Sequence, residues 1–372
     1  MCDPHKHWML KEILEQQETV MKAYDYGSRI DGYNAKLVGL TKMTNISQNI
    51  EYVLLIGCGS SYNAGLMGEI YLNSNNNFVC VKSVNACEFS GKSIPKISRD
   101  KVLCILLSQS GETIDVYKCL EVCKAQGCNT LGVVNTRDSL IAREVDGGVY
   151  LNAGLEVSVS SIKSFTSMLI VLSLVEMWFN TNVYENYKKM NCLRFVSNKL
   201  TQLLYNYQIL KSIDKLADVI HKHDINNIFI LGKGKLFPIA CEASLKINEV
   251  SYIHSQGFSA GSFKHEAQAL LDKTNLTILL IDYDDYKSYE NLKSTYYEIL
   301  AMKTNIIVIT NSIEVTTQLN IDNGKFLLIP RQDYYNEITF IVALQYMAYQ
   351  LADVKGLDPD KPRNLTKVIT VE

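Results

Sequence analysis

Two stretches of this 372-residue chain, "VLLIGCGSSYNAG" and "IFILGKGKLFPIA", share one design: an apolar run, a G-x-G, then residues suited to opening a helix. Gly57 and Gly59 of the first precede Gly232 and Gly234 of the second by 175 positions. The step persists downstream. "LGVVN", ending at Asn135, is answered by "IVITN", ending at Asn311, and "VYLN" near Tyr150 by "FLLIP" near Leu328. A near-constant offset over several elements marks a duplicated domain. Within each copy, short Val/Ile/Leu runs alternate with helix-patterned stretches such as "IDVYKCLEVCKAQG", which predicts a parallel sheet covered on both faces. The fold class expected is therefore α/β, with two tandem doubly wound parallel-sheet domains. The expected division is an N-terminal helical segment over 1–43, a first domain over 44–186, a helical connection over 187–218, a second domain over 219–359 and a tail over 360–372. Pro359 and Pro362 stop any helix from continuing into that tail.

Composition removes several classes of function. Hydrophobic residues make up 47% and charged residues 20%, as in ordinary soluble domains. A net charge of -2 leaves no electrostatic footprint for nucleic acid. The longest apolar run, "SMLIVLSLVEMWF", is broken by Ser173 and Glu176 and falls short of the roughly 18 residues that suggest a bilayer span, so a buried helix is expected and no membrane. The opening "MCDPHKHWML" lacks the basic head and apolar middle of a signal peptide. With cysteines that are not spaced as a disulfide framework, it predicts a cytoplasmic protein. There is no C-x-x-C and no H-E-x-x-H, so no metal site is expected, and no cofactor.

In open α/β sheets, ligands lie beyond the carboxyl ends of the strands. After the apolar residues Leu103 to Leu107 come Ser108, Gln109, Ser110, Gly111, Glu112 and Thr113, with no Lys or Arg among them. Such a loop can hold a phosphate through the unpaired N–H groups and dipole of the helix that follows, with hydroxyls completing the cage. Gly111 permits close approach, and Glu112 is expected to cap or face away. One serine here would be an ordinary N-cap, but six polar or small residues exceed what capping requires. The G-x-G itself is weak, lacking the third glycine of a dinucleotide fingerprint and the Lys of a P-loop. Glu242, Lys246 and Glu249, at i, i+4 and i+7, share one helical face, although spacing alone favours an ordinary surface pair. Read alone, His265 is equally a surface histidine or an acid–base group titrating near neutrality, and Lys367 a solvated tail lysine.

Together, "GCGSSYNAG", "LSQSGET", "SVSSIKSFT", "EASLKINEVSYIHSQGFSAGSFKH" and "KPRNLTKVITVE" closely resemble the isomerase half of the glutamine:fructose-6-phosphate amidotransferase family, which is built from two sugar isomerase (SIS) domains. The resemblance runs from about His7 to Glu372. It implies a phosphate site at Ser61, Ser108, Gln109, Ser110 and Thr113, and sugar contacts from the Val159 backbone, Ser161 and Thr366. It also implies Glu249 as catalytic base with Lys246 beside it, His265 as ring-opening group contributed by the neighbouring subunit, and Lys367 as imine-forming amine in a tail that closes the sugar site. The implied activity is ketose–aldose isomerisation of fructose 6-phosphate, giving glucosamine 6-phosphate with ammonia and glucose 6-phosphate without it. The implied partners are a sugar phosphate, a second copy of the chain with shared sites, and a separate ammonia-supplying glutaminase.

Ser262 stands where the family usually has Glu, Glu266-Ala267-Gln268 where it has Gly-Pro-Leu, and Thr366 where it has Ala. The family's glutaminase domain has no counterpart, and Cys2 lacks the glycine-rich continuation of its nucleophile. Two alternatives follow from the same motifs: a glucosamine-6-phosphate deaminase of the double-SIS type, and a non-catalytic sugar-phosphate sensor.

Overall fold

The computed structural model describes residues 3–74 and 77–367, so Cys2 and the tail beyond Lys367 lie outside the described residues. Ten strands form two five-stranded sheets. The first contains β1 (Tyr52–Gly57), β2 (Cys80–Asn85), β3 (Val102–Ser108), β4 (Asn129–Val134) and β5 (Gly147–Tyr150), in the order β2-β1-β3-β4-β5. The second contains β6 (Asn227–Gly232), β7 (His254–Ser259), β8 (Asn275–Ile281), β9 (Asn305–Thr310) and β10 (Phe326–Leu328), in the order β7-β6-β8-β9-β10. Every pairing in both is parallel. Identical order in the two sheets is what a duplicated doubly wound domain requires. β3 and β8 are buried at every position, which is why they read as unbroken apolar runs rather than alternating ones.

The chain divides into two compact units. One comprises Glu18–Glu156, Ser161–Arg194 and Thr366–Glu372; the other comprises Met1–Gln17, Val157–Ser160 and Phe195–Leu365. In the first, helices α1 (Ser60–Asn73) and α2 (Ile114–Ala125) pack on the sheet, and α3 (Lys163–Phe179) packs against α1. The long apolar run of the sequence is α3, buried from Lys163 to Met177; among the described residues no helix is long and apolar enough to cross a membrane. In the second unit, α4 (Leu236–Ser251) packs against β6, β7 and α6 (Asn336–Val354), while α5 (Tyr286–Ala301) lies against β8. A short helix at Trp8–Leu14 also joins α6, its first turn capped by the Asp360 carboxylate, which accepts from Trp8 N and Met9 N, each at 2.7 Å.

The two G-x-G motifs do the same job. A Cβ on Gly57 would lie 2.9 Å from the Ser61 carbonyl carbon, and one on Gly232 only 2.1 Å from the Leu236 oxygen. The first glycine thus lets the opening turn of the helix press against the strand end. The second, at φ 52° in Gly59 and 57° in Gly234, makes a left-handed turn that side chains resist. Because β1 lies between β2 and β3, the chain leaves β1 and β3 toward opposite sides, and the crevice at their carboxyl ends is the expected ligand position. The loops over Gly57–Ser61 and Ser108–Thr113 flank that crevice.

Candidate functional site

The polar loop after β3 is a braced structure. Ser108 is buried, and its hydroxyl lies 2.9 Å from Thr113 Oγ1 and accepts from Gly111 N at 2.9 Å. Ser110 Oγ accepts from Glu112 N at 3.1 Å and lies 3.5 Å from Thr113 Oγ1. Gly111 has φ 69°, and a Cβ there would collide with Ser139 Oγ at 2.0 Å. Outside the loop, the Gln109 carbonyl accepts from the backbone of Asn135 and Thr136, and the Gly111 carbonyl from Ile141 N. Glu112 turns away as expected, its carboxylate accepting from Leu140 N at 2.8 Å. Thr113 occupies the N-cap position of α2 but makes no side-chain cap bond, so the helix's first N–H groups and dipole face the loop. Ser61, the second residue of α1, and Gln109, Ser110 and Thr113 are half-buried. A loop of this kind can hold an anion without basic side chains. Calorimetric titration with fructose 6-phosphate should show Ser110→Ala and Thr113→Ala each weakening binding by roughly 1.5–3 kcal/mol, the range for a hydrogen bond to a charged group; unchanged affinity in both would reduce the loop to a helix start.

In the second unit, α4 carries a buried charge cluster. Lys246 Nζ lies 2.7 Å from Glu249 Oε2 and 3.5 Å from Glu242 Oε1. Lys246 and Glu242 are fully buried, while the Glu249 side chain keeps 20% exposure. The surface-pair reading that spacing favoured is thereby corrected: α4 is sandwiched between its sheet and α6, and the shared face points inward. Ser160 Oγ donates to Glu249 Oε2 at 2.6 Å. The segment bearing Ser160 is itself fixed, since Val159 N donates to the Asp360 carbonyl at 3.2 Å, Ser158 Oγ to the Ser160 carbonyl at 3.0 Å, and Ser158 N to the Glu12 carboxylate at 3.3 Å. A carboxylate held by an ammonium and a hydroxyl, yet reachable from solvent, is suited to moving a proton.

The tail is anchored as far as Lys367, where the described residues end. Arg363 N donates to the Tyr252 hydroxyl at 2.8 Å and its guanidinium lies 4.3 Å from the centre of the Tyr252 ring. Lys367, far from being solvated, pairs with Glu156 Oε2 at 2.9 Å. Burial alone would raise the Glu156 carboxyl, but the Lys367 ammonium and the N–H groups of Ser164 and Ile162 bring it below its ordinary value. That stabilisation is complete above the ordinary carboxylate range and is lost as pH falls through the lowered value. His265 is exposed, in the turn after Ala260–Phe263. Ser161 is half-buried and Thr366 exposed.

Against known protein families, SIS domains match residues 48–176 and 223–354. The chain belongs to the SIS-domain family. Among curated proteins, this SIS-domain chain is 36% identical to the "Probable glutamine--fructose-6-phosphate aminotransferase [isomerizing]" of Acanthamoeba polyphaga mimivirus, over 99% of the chain and 59% of that relative. It is 32% identical to "Glutamine--fructose-6-phosphate aminotransferase [isomerizing] 1" of Rattus norvegicus, over 98% of the chain and 53% of the relative. The SIS chain thus spans little more than half the length of these relatives. Among solved structures, it resembles the C-terminal domain of glucosamine-fructose-6-phosphate aminotransferase from Francisella tularensis, with TM-score 0.87, 26% identity, and coverage of 97% of this chain and 100% of that one. It also shares its fold with glucosamine-6-phosphate deaminase from Thermotoga maritima, at TM-score 0.70 and 22% identity, covering 98% and 100%.

Three residues that hold the candidate residues in place escape sequence reasoning. Ser160, not its neighbour Ser161, reaches Glu249, and an irregular loop has no periodicity to reveal which. Glu156 answers Lys367 from 211 positions away, and Glu12 braces the Ser158 backbone from 146 away. Only the inclusion of Ser160 in "SVSSIKSFT" offered a signal.

Proposed function

We propose that this chain is a sugar-phosphate ketose–aldose isomerase of the type found in the glutamine–fructose-6-phosphate aminotransferases, acting on fructose 6-phosphate. The observation that carries this reading is the Glu249 carboxylate, held by buried Lys246 and by Ser160; in this reading Ser61, Gln109, Ser110 and Thr113 take the phosphate, with Ser108 bracing the loop. Moving a carbonyl between C2 and C1 requires a base that removes a proton beside it and returns that proton to the neighbouring carbon. Glu249 takes that role. Lys246 counters the carboxylate's charge, and the Val159 backbone, Ser161 and Thr366 meet the sugar. His265 assists ring opening, and Lys367, once free of its proton and of Glu156, attacks C2 to give the imine with loss of water. With ammonia the product is glucosamine 6-phosphate; without it, glucose 6-phosphate.

A separate glutaminase is the proposed ammonia source. The nine free cysteines among the described residues fit a reducing cytoplasm. The deciding assay incubates the purified chain with fructose 6-phosphate, with and without ammonium, and separately with glucosamine 6-phosphate. Glucose 6-phosphate formation supports the reading, whereas binding without turnover would make the chain a sensor and consumption of glucosamine 6-phosphate alone a deaminase. Borohydride added during turnover should label Lys367; label elsewhere removes it from the chemistry.

The second copy of the chain enters through His265, which has no partner side chain among the described residues. In a homodimer with shared sites, mixing inactive Glu249→Gln with inactive His265→Ala should restore activity as heterodimers form. Heterodimers that stay inactive would refute the sharing.

A further inference from the structure

Three loops at one end of the first sheet bring together side chains that the proposed reaction does not use. Cys58 sits between the two glycines after β1, Cys87 two residues beyond the end of β2, and Asp115 in the first turn of α2, which follows β3. Since β2, β1 and β3 are consecutive neighbours, the three converge. Cys58 Sγ lies 3.8 Å from Cys87 Sγ, and Cys87 Sγ lies 3.8 Å from Asp115 Oδ2. One ligand atom from each lies within 4.8 Å of the others. A tetrahedral zinc ion with Zn–S of about 2.3 Å and Zn–O of about 2.0–2.2 Å sets S···S edges of roughly 3.8 Å and S···O edges of roughly 3.6 Å. The two edges through Cys87, each 3.8 Å, match those lengths, and the third, between Cys58 and Asp115, is within 4.8 Å. Among the described residues, Asp115 forms no ion pair with Lys, Arg or His, and its recorded side-chain contact is the Cys87 thiol. A carboxylate beside two thiols lacks a cation.

We propose that Cys58, Cys87 and Asp115 form a three-ligand site for a thiophilic divalent cation of the zinc class, its fourth position open to water. Two sulfur ligands select borderline-soft ions over magnesium or calcium. Binding displaces both thiol protons to solvent as the two metal–sulfur bonds form, and the metal's oxidation state does not change. Sequence spacing hides the site, because Cys58 and Cys87 are 29 positions apart and Cys87 and Asp115 28 apart, with no C-x-x-C. Cys58 precedes Ser61 by three residues and Asp115 follows Thr113 by two, so a bound ion would tie together both loops of the anion cradle. That consequence rests on the sugar-phosphate reading; the metal site does not.

The test titrates the full chain with Co²⁺ under a phosphine reductant. The expected result is one tightly bound ion with intense tetrahedral visible bands and a near-ultraviolet thiolate charge-transfer band, displaced by Zn²⁺. Cys87→Ser, at an exposed position, should lose about half the charge-transfer intensity and more affinity than the roughly 10–100-fold that an outer-shell partner commands; Asp115→Asn should weaken binding while keeping the charge-transfer band. A weak octahedral spectrum, or identical spectra and affinity in wild type and Cys87→Ser, would overturn the site. So would formation of a Cys58–Cys87 disulfide on mild oxidation in a chain that binds no ion when reduced. Fructose 6-phosphate affinity measured with and without Zn²⁺ tests the coupling separately, and equal values with the ion bound overturn the coupling alone.

Discussion

Glu249→Gln should lower turnover of fructose 6-phosphate by about 10²–10⁴-fold, the contribution of a positioned acid–base group, with the fold and phosphate affinity near wild type. The charge arithmetic of the cluster supports both halves of this expectation. In the native chain, Lys246 is flanked by two carboxylates, Glu242 at 3.5 Å and Glu249 at 2.7 Å. Gln at 249 leaves one ammonium facing one carboxylate, a balanced buried pair, and its amide oxygen can still accept from Ser160 or Lys246. Nothing is stranded, so stability is kept. The amide cannot take up a proton near neutral pH, so proton transfer between carbons stops. Steady-state kinetics beside calorimetric titration separates the two: kcat should collapse while phosphate binding stays within a few-fold. A variant that turns over at more than a tenth of the wild-type rate would place the base elsewhere.

The parts of this molecule readable from sequence are those where a physical constraint repeats locally. Both sheets announced themselves because a strand buried on both faces must be apolar throughout, as β3 and β8 are, and because the G-x-G answers a steric demand that recurs at Gly57 and Gly232. The polar loop after β3 stood out because Ser108, Ser110, Gly111 and Thr113 contact one another within six residues. Long-range contacts left no such trace. Asp360 caps a helix that begins 352 residues earlier. Helical spacing put Glu242, Lys246 and Glu249 on one face without saying which way it pointed; only the packing of α6 over α4 turns an apparent surface pair into a buried charge cluster. Ser160 and Ser161 were indistinguishable because an irregular segment has neither the period of 3.6 nor that of 2.

The same cluster yields the largest expected loss of stability. Lys246→Met retains a side chain of similar length but removes the cation, leaving Glu242, fully buried, and Glu249, mostly buried, with two like charges near one point. Breaking a buried ion pair by removing one partner costs about 3–5 kcal/mol, because the surviving charge is uncompensated. The unit built on β6–β10 should therefore melt well below wild type, an effect that calorimetry or urea unfolding can measure. The cause is separable from the lost packing of the lysine stem. In Lys246→Met, Glu242→Gln, the fully buried charge is gone, and the remaining carboxylate, Glu249, keeps its Ser160 hydrogen bond and its 20% exposure. The double variant should recover most of the lost stability yet stay slow in turnover, since Glu249 then lacks the ammonium that counters its charge. A double variant as unstable as Lys246→Met would assign the loss to packing, and a Lys246→Met chain as stable as wild type would show that the two carboxylates share a proton instead.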